Sequence, residues 1–498
     1  SHIQAILNGH VSASLDRNWR VKTLRAKLFS QEGQEEDQDT QMPKPDETIE
    51  KLAAAGIFGK SVVFSDLALN IRYDAESNIL EAQDSHIKIN NEQVDFSLAR
   101  RADEQSLSEG QQDKGQKKGT KTDILPLEIK IPALKLRDIQ LLWPMQYRDG
   151  LAAEWLTDKL QGADFKNLVI FIPLPLKNLS TLDTGKIEGS FDYSGLHADY
   201  NAPMLPVEEG RGHAQLKDDI LTIDINGGRI DQLAVKKGKV SISYLTHPIK
   251  IGDVTIDADL NGPLASAIRY INGEPINMAS KLGLDPAVVK GSAAITANVK
   301  FPAAKHIEQS QVKVNVGAQL NQVNLPKIAQ GLDLSGGPYS LKLDEKMLTI
   351  TGKGAIEGRA IDLKYHEYLD HSSLPYTNKI EAKIDLDETL RQKLGIDLTD
   401  FVAGSFPVDI NYQQIKDGDA DLSFTADLKT ADFFLTSLGY SKPREVAGTA
   451  EGKVSIRNHK PQNLSDLTLS IGNDVTANGS LDFGQVGKGW GVKSAQFQ

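Results

Sequence analysis

Ala420-Asp421-Leu422-Ser423-Phe424-Thr425-Ala426-Asp427-Leu428 alternates without a break between apolar and polar side chains. Successive side chains of a strand point to opposite faces. The run therefore reads as a strand with Ala420, Leu422, Phe424, Ala426 and Leu428 on one side and Asp421, Ser423, Thr425 and Asp427 on the other. The pattern returns at Val254, Ile256, Ala258 and Leu260, at Val312, Val314, Val316, Ala318 and Leu320, and at Ile380, Ala382, Ile384 and Leu386. A ribbon that is apolar on one face has to bury it. A second sheet, a layer of helices and a bound lipid are the three covers open to it, and which one is used decides what the protein does.

The rest of the composition narrows the field. With 498 residues the chain holds a few ordinary domains or one extended repetitive one. A net charge of -11 argues against a general binder of nucleic acid or of anionic membrane surfaces, both of which need a positive footprint. Cysteine is absent, so disulfides, thiolate chemistry and cysteine-held metal or iron–sulfur sites are excluded. No apolar run is long enough to cross a bilayer and no cleavable signal pattern is present. The chain opens at Ser1-His2-Ile3-Gln4 and closes on the alternating stretch 491–497, so it reads as a piece of something longer, with any anchor outside it.

Four regions are expected. Residues 1–125 read as an N-terminal β region, with strands at 1–29 around an Asn8-Gly9 turn and further strands at 62–73, 79–89 and 94–99. Two polar stretches, at about 30–46 and 102–123, read as disordered inserts, and a short helix lies between them from Asp46 to Gly56. Residues 126–260 read as a β-groove unit with strands at 127–131 and 134–142 and one helix, capped by Asp149 and ended by Gly162. Residues 261–380 and 381–498 read as β-groove repeats, the second truncated at its end. Asn226-Gly227, Asn261-Gly262, Asp417-Gly418 and Asn478-Gly479 are the dipeptides of tight hairpins. Short helices are expected at 263–271, 276–282 and 388–394.

Two pairs of segments recur in the same order. Lys281-Leu282-Gly283-Leu284-Asp285 returns as Lys393-Leu394-Gly395-Ile396-Asp397, each copy leading to a glycine (Gly291, Gly404) and an alternating strand. The stretch from Leu216 to Leu221-Thr222-Ile223 returns from Leu343 to Leu348-Thr349-Ile350. Together they indicate a duplicated unit of roughly 110 to 130 residues, the size of a small domain.

Chemistry-bearing motifs fail on spacing. His366-Glu367-Tyr368-Leu369-Asp370-His371 places its histidines five apart, where a helical zinc pair needs four. Asp417, Asp419 and Asp421 lack the further oxygen ligands of a calcium loop and read as a turn and the wet face of a strand. The glycine-rich stretch 484–491 lacks the Ser/Thr that follows the lysine of a phosphate loop. No nucleophile elbow and no isolated carboxylate pair is present. The sequence reads as a non-enzyme, with no catalytic, metal-binding or cofactor-binding residues and no cofactor.

What remains is the apolar alternation. The candidate lipid-facing positions are Ile223, Ile225, Val254, Ile256, Leu260, Ile295, Val299, Val314, Val316, Leu320, Leu348, Ile350, Ile380, Ile384, Leu422, Phe424, Leu428, Val454 and Ile456. Such faces also form ordinary sandwich cores. Aromatics make up only 6% of the chain, however, and an aliphatic lining suits acyl chains, which need area without specific geometry.

The stretch from Trp143-Pro144 through Trp155-Leu156, Gly189, Phe191, residues 212–228 and Leu282-Gly283-Leu284-Asp285-Pro286 resembles the AsmA-like, YhdP-type bacterial envelope proteins. So do Leu320-Asn321-Gln322-Val323-Asn324-Leu325-Pro326, Asp427-Leu428-Lys429-Thr430-Ala431-Asp432 and Gly439-Tyr440-Ser441-Lys442-Pro443, with Lys429 standing where that family carries Thr. The resemblance covers roughly residues 125–498. It implies a mainly β fold, a long twisted antiparallel sheet forming an open, taco-like groove with a few short helices. It also implies a periplasmic segment of a lipid-transfer bridge between inner and outer membrane, anchored by an N-terminal helix. Its partners would be phospholipid, the inner membrane and outer-membrane or envelope proteins, with no nucleic acid. The rival reading is a structural or adhesive β-solenoid or sandwich array with a dry protein core.

Overall fold

In a computed structural model of the chain, the described residues are 7–15, 21–30, 64–74, 79–89, 92–100, 124–142, 155–175, 182–245 and 251–498, apart from short gaps at 202, 275, 281, 305–306, 329–330, 370–374, 397, 437–438, 473–474 and 487–488. Both polar inserts, the helix read between Asp46 and Gly56 and the start of the one read from Asp149 lie outside them. The protein is mainly β, an antiparallel sheet not closed into a barrel, with few short helices. It divides into two compact units, Ser1–Ala258 with Lys300–Gln311, and Asp259–Val299 with Val312–Gln498.

The first unit is a meander. Its strands are β1 (Leu7–Leu15), β2 (Val21–Ser30), β3 (Phe64–Asp74), β4 (Ile79–Ile89), β5 (Glu92–Arg100), β6 (Ile124–Lys135), β7 (Leu160–Pro175), β8 (Glu188–Ala198), β9 (Val207–Lys217), β10 (Ile220–Ile230) and β11 (Leu233–Ser243). Each pairs antiparallel with the next. Helix α1 (Leu136–Leu142) and a π turn at Trp155–Lys159 lie between β6 and β7. Strands β12 (Asp253–Pro263) and β13 (Lys290–Pro302) have residues in both units, with α2 (Leu264–Asn272) between them.

The second unit repeats the architecture. Its strands are β14 (Lys313–Leu325), β15 (Leu334–Leu343), β16 (Met347–Ile356), β17 (Arg359–Tyr368), β18 (Asn378–Leu386), β19 (Val402–Ala403), β20 (Phe406–Lys416), β21 (Asp419–Asp427), β22 (Asp432–Leu435), β23 (Tyr440–Lys442), β24 (Gly448–Arg457), β25 (Lys460–Ile471), β26 (Val475–Val486) and β27 (Gly489–Phe497), with α3 (Glu388–Lys393) after β18. All but β19, β22 and β23 form a second antiparallel meander. Those three form a small separate sheet.

Several sequence expectations are corrected. Only Asp417-Gly418 is a hairpin turn; Asn8-Gly9, Asn226-Gly227, Asn261-Gly262 and Asn478-Gly479 lie inside β1, β10, β12 and β26. The tight hairpins are closed instead by Asp218-Asp219 (φ +51° and +60°), Glu357-Gly358 (+49° and +76°) and Asn458-His459 (+52° and +61°). A two-residue turn needs positive φ at both positions, which Asp and Asn tolerate at low cost. The in-strand glycines answer to crowding. A Cβ at Gly479 would run into the Gln496 carbonyl, and Gly227 sits where the pairing of β9 with β10 slips. The stretch 134–142, read as a strand, turns helical after Lys135, because Leu136 and Ile139 lie one turn apart and pack together in one cluster. No helix is formed at 276–280 or at Leu282, where the chain makes turns, and Gly162 lies within β7 rather than ending a helix.

The duplicated motif has matching geometry. Leu284 donates to the Ala279 carbonyl and Gly283 to that of Ser280; Ile396 and Gly395 do the same with Arg391 and Gln392. Both glycines are left-handed, at φ +69° and +73°. Each is a Schellman ending, in which the glycine lets the chain reverse while the last carbonyls stay paired.

Candidate functional site

Register places one apolar residue from each meander strand in a single line across the sheet. In the second unit the line reads Ala318, Leu341, Ile350, Tyr365, Ile380, Tyr412, Leu422, Val454, Leu464, Leu481 and Ala495. In the first it reads Val11, Ala26, Ile71, Ala82, Leu98, Ile129, Ile170, Gly189, Leu216, Leu221 and Ile242. Directly opposed residues share a face. One residue further along, on the other face of the second unit, the line reads Thr349, His366, Lys379, Gln413, Asp421, Ser455, Asn463, Asp482 and Ser494. Cross-strand ion pairs lie on that face, among them Lys364 with Glu381 and Lys383 with Asp409, both at 3.5 Å. The first unit's other face carries Ser97, Lys130, Ser190, Gln215, Thr222 and Ser241, interrupted by Val169.

The apolar face is covered chiefly at one end, although Leu348 and Ala420 in the far row of the second unit are also buried, at 4% and 1% exposed. In the second unit Ile361, Ile384, Val408 and Ala426 are buried in a cluster with Leu264 and Ile268 of α2, Leu390 of α3 and Phe433 of the small sheet. Two residues along the same strands, Leu363, Ala382, Ile410 and Phe424 pack only partly against that cluster. Two residues further, Tyr365, Ile380, Tyr412 and Leu422 stand outside it and are half-buried. In the first unit Leu136 of α1 packs on Phe165 and Tyr193, with Leu156 and Leu160 against them. Ile71, Leu98, Ile129, Ile170, Leu216, Leu221 and Ile242 remain half-buried.

Two buried cations hold the second unit's cover in place. Arg391, 2% exposed, donates to the carbonyls of Leu386, Gly404 and Val402 at 3.0–3.3 Å and lies 5.4 Å from the Phe406 ring centroid. Lys442, 1% exposed, donates to the carbonyls of Ala431, Pro443 and Val446 at 2.7, 3.0 and 3.1 Å. Burial pushes the Lys442 ammonium below its ordinary pKa. All three protons of that ammonium have acceptors, which is what makes a buried lysine tolerable.

A tyrosine–glycine device recurs on the apolar face. Tyr193 lies opposite Gly212 and donates to the Asp224 carbonyl at 3.1 Å; Tyr339 lies opposite Gly352 and donates to the Ser335 carbonyl at 3.0 Å. Burial pushes the Tyr193 phenol up to about 12 and raises that of Tyr339. Each ring occupies the space that its glycine leaves empty.

The residues singled out from sequence fall into three groups. Ile223, Ile225, Val316, Leu320, Ile350, Ile380, Leu422, Phe424, Val454 and Ile456 are half-buried and share parity with the apolar lines. Val254, Ile256, Leu260, Ile295, Val299 and Val314 are also half-buried, on β12, β13 and β14. Leu348, Ile384 and Leu428 are instead closed off, at 4%, 7% and 3% exposed, and Leu428 lies just past the end of β21. Sequence reasoning missed Tyr365, Tyr412, Leu341, Leu464 and Leu481, and in the first unit Ile71, Leu98, Ile129, Ile170, Leu216, Leu221 and Ile242. Their alternation was visible; only register shows that they line up.

No group of acidic or histidine side chains able to hold a metal is present among the described residues. His366 lies on the polar face, its Nδ1 3.0 Å from Thr349 Oγ1, and His371 lies outside the described residues. No helix among them is long and apolar enough to cross a membrane. No curated protein and no solved structure matches the chain. The family model described as YhdP protein matches residues 41–498. Nearly the whole chain is thus accounted for by one family, and it belongs to the YhdP family of bacterial envelope proteins.

Proposed function

We propose that this chain is a periplasmic segment of a lipid-transfer bridge, in which phospholipid tails lie on the apolar sheet face and headgroups stay in water. The observation that carries the reading is the apolar line that crosses the meander strands of each unit, half-buried at most of its described positions, backed by polar residues and covered by protein chiefly at one end. A dry core would bury that line throughout. Each methylene withdrawn from water contributes about 0.8 kcal/mol, so a two-chain lipid is held without a specific headgroup contact. Neighbouring positions offer nearly the same aliphatic surface, which keeps the barrier to sliding low. Transfer between inner and outer membrane, an inner-membrane anchor and envelope partners complete the reading, and family membership supports them. No catalytic step is needed.

The test is native mass spectrometry and solvent extraction of protein purified without detergent. The reading expects phospholipid bound to the chain. Lipid-free protein from cells of ordinary phospholipid content would overturn it.

A further inference from the structure

One row of the second unit's apolar face breaks its own pattern. Across the strands it reads Val316, Leu343, Leu348, then Glu367, Asn378 and Gln414, then Ala420, Ile456 and Pro461. Three adjacent polar side chains interrupt a row that is apolar on both sides. All three are half-buried. They belong to the face and not to the polar side behind it. Tyr365, on the apolar line, donates its hydroxyl to Glu367 Oε2, and Asn378 Nδ2 donates to Gln414 Oε1 at 2.9 Å.

The charge is one-sided. Glu367 makes no ion pair among the described residues. The nearby lysines of the same strands, Lys364 and Lys379, lie on the opposite face and both pair with Glu381, Lys379 at 2.7 Å. Two aromatic rings flank the break from the adjoining row. Tyr365 and Tyr412 stand on either side of Ile380, about 10 Å apart at two strand spacings. Burial, and secondarily Glu367, raises the Tyr365 phenol above its ordinary pKa, so it remains a donor. A carboxylate beside tyrosine rings in a partly desolvated place is the chemistry that recognises an organic ammonium.

We propose that Glu367, with Asn378, Gln414 and the rings of Tyr365 and Tyr412, forms a station for the ammonium-bearing headgroup of a zwitterionic phospholipid whose tails lie on the adjoining apolar rows. This rests on the reading that acyl chains occupy that face. It adds a preference: the station favours an amine-bearing headgroup and disfavours a net anionic one, which would meet the Glu367 charge.

The test uses the full chain, stripped of lipid and incubated with vesicles of equal parts phosphatidylethanolamine and phosphatidylglycerol. The protein is then re-isolated and its lipid extracted and quantified. Wild type is expected to be enriched in phosphatidylethanolamine. Glu367→Gln, which keeps an acceptor for Tyr365, is expected to lower the enrichment about fivefold at unchanged total lipid and unchanged melting temperature. Tyr412→Leu is expected to lower it as well, and Asp409→Asn, the same charge loss on the opposite face, to leave it as it was. An unchanged ratio in Glu367→Gln, or an equal fall in Asp409→Asn, overturns the station while leaving the lipid-bridge reading intact. Wild type that takes up no lipid overturns both. Soluble glycerophosphoethanolamine in excess is expected not to alter the ratio; if it abolishes the enrichment, the site serves a free amine and the proposal fails.

Discussion

Val408 and Leu422 occupy neighbouring strands and one face of the sheet, yet their surroundings differ. Val408 is 5% exposed beneath the helices, whereas Leu422 is half-buried beyond them. Val408→Asp buries an unpaired carboxylate and is expected to cost about 3–5 kcal/mol. Leu422→Asp leaves its charge in reach of water and is expected to change stability by under about 1 kcal/mol while removing most co-purifying lipid. Thermal denaturation and lipid extraction on the two variants check both, and equal destabilisation would favour a dry core. Gly354→Ala should also destabilise, by about 1–3 kcal/mol, because its new methyl group collides with the Tyr339 hydroxyl. At this scale the sequence was a good guide to parity and a poor one to glycine. Leu422 and Phe424 were assigned to the correct face by alternation alone. Gly227 and Gly479 were misread as turns because crowding against another strand is a property of pairing, which lies outside any local window.

Among the elements, α3 was expected at 388–394, and the structure adds a cap made of local chemistry. Asp387 Oδ1 accepts from the Leu390 amide at 2.9 Å, and Oδ2 takes the Arg359 guanidinium. The amide first, and Arg359 second, hold its carboxyl below the ordinary aspartate value. A carboxyl whose folded value is depressed stabilises above its unfolded value and loses that contribution as pH falls through the folded one. Asp387→Ala is expected to cost about 1 kcal/mol at neutral pH. Its deficit in melting temperature should shrink as the pH falls below the ordinary aspartate range and through the depressed folded value, which a pH series of melts on both proteins checks. Lys442→Met leaves the carbonyls of Ala431, Pro443 and Val446 without their donor. Amide exchange in β22 and β23 is expected to rise about tenfold or more while β20 and β21 keep their protection. The helix α1 was not legible, because Leu134, Leu136 and the apolar residues after them fit period two as readily as one short helical turn, and packing on Phe165 decided between them.

At the scale of the whole molecule, the β architecture was visible as abundant alternation, but the site was not. Each strand announced an apolar side; nothing in a single strand says which residue of the next one stands beside it. The same holds for the polar break. Glu367 lay in a motif set aside for wrong zinc spacing, and its meaning depends on Asn378 and Gln414, which reach it only through pairing. Each apolar line crosses ten strand spacings of about 4.8 Å, so it runs for about 48 Å along the hydrogen-bond direction. That is room for more than one phospholipid. Native mass spectrometry under lipid-saturating conditions should therefore find at least two per chain; saturation at one would confine binding to a single place.

The meanders also carry a lesson about growth. Because a strand hydrogen-bonds chiefly to those before and after it in the chain, position along the polypeptide and position across the ladder are the same coordinate. Duplicating or excising a two-stranded module outside the covered end would lengthen or shorten the sheet by about 10 Å while leaving the pairing of the other strands unchanged. Width becomes an adjustable dimension of such a sheet, set by counting hairpins and open to change by gene duplication alone.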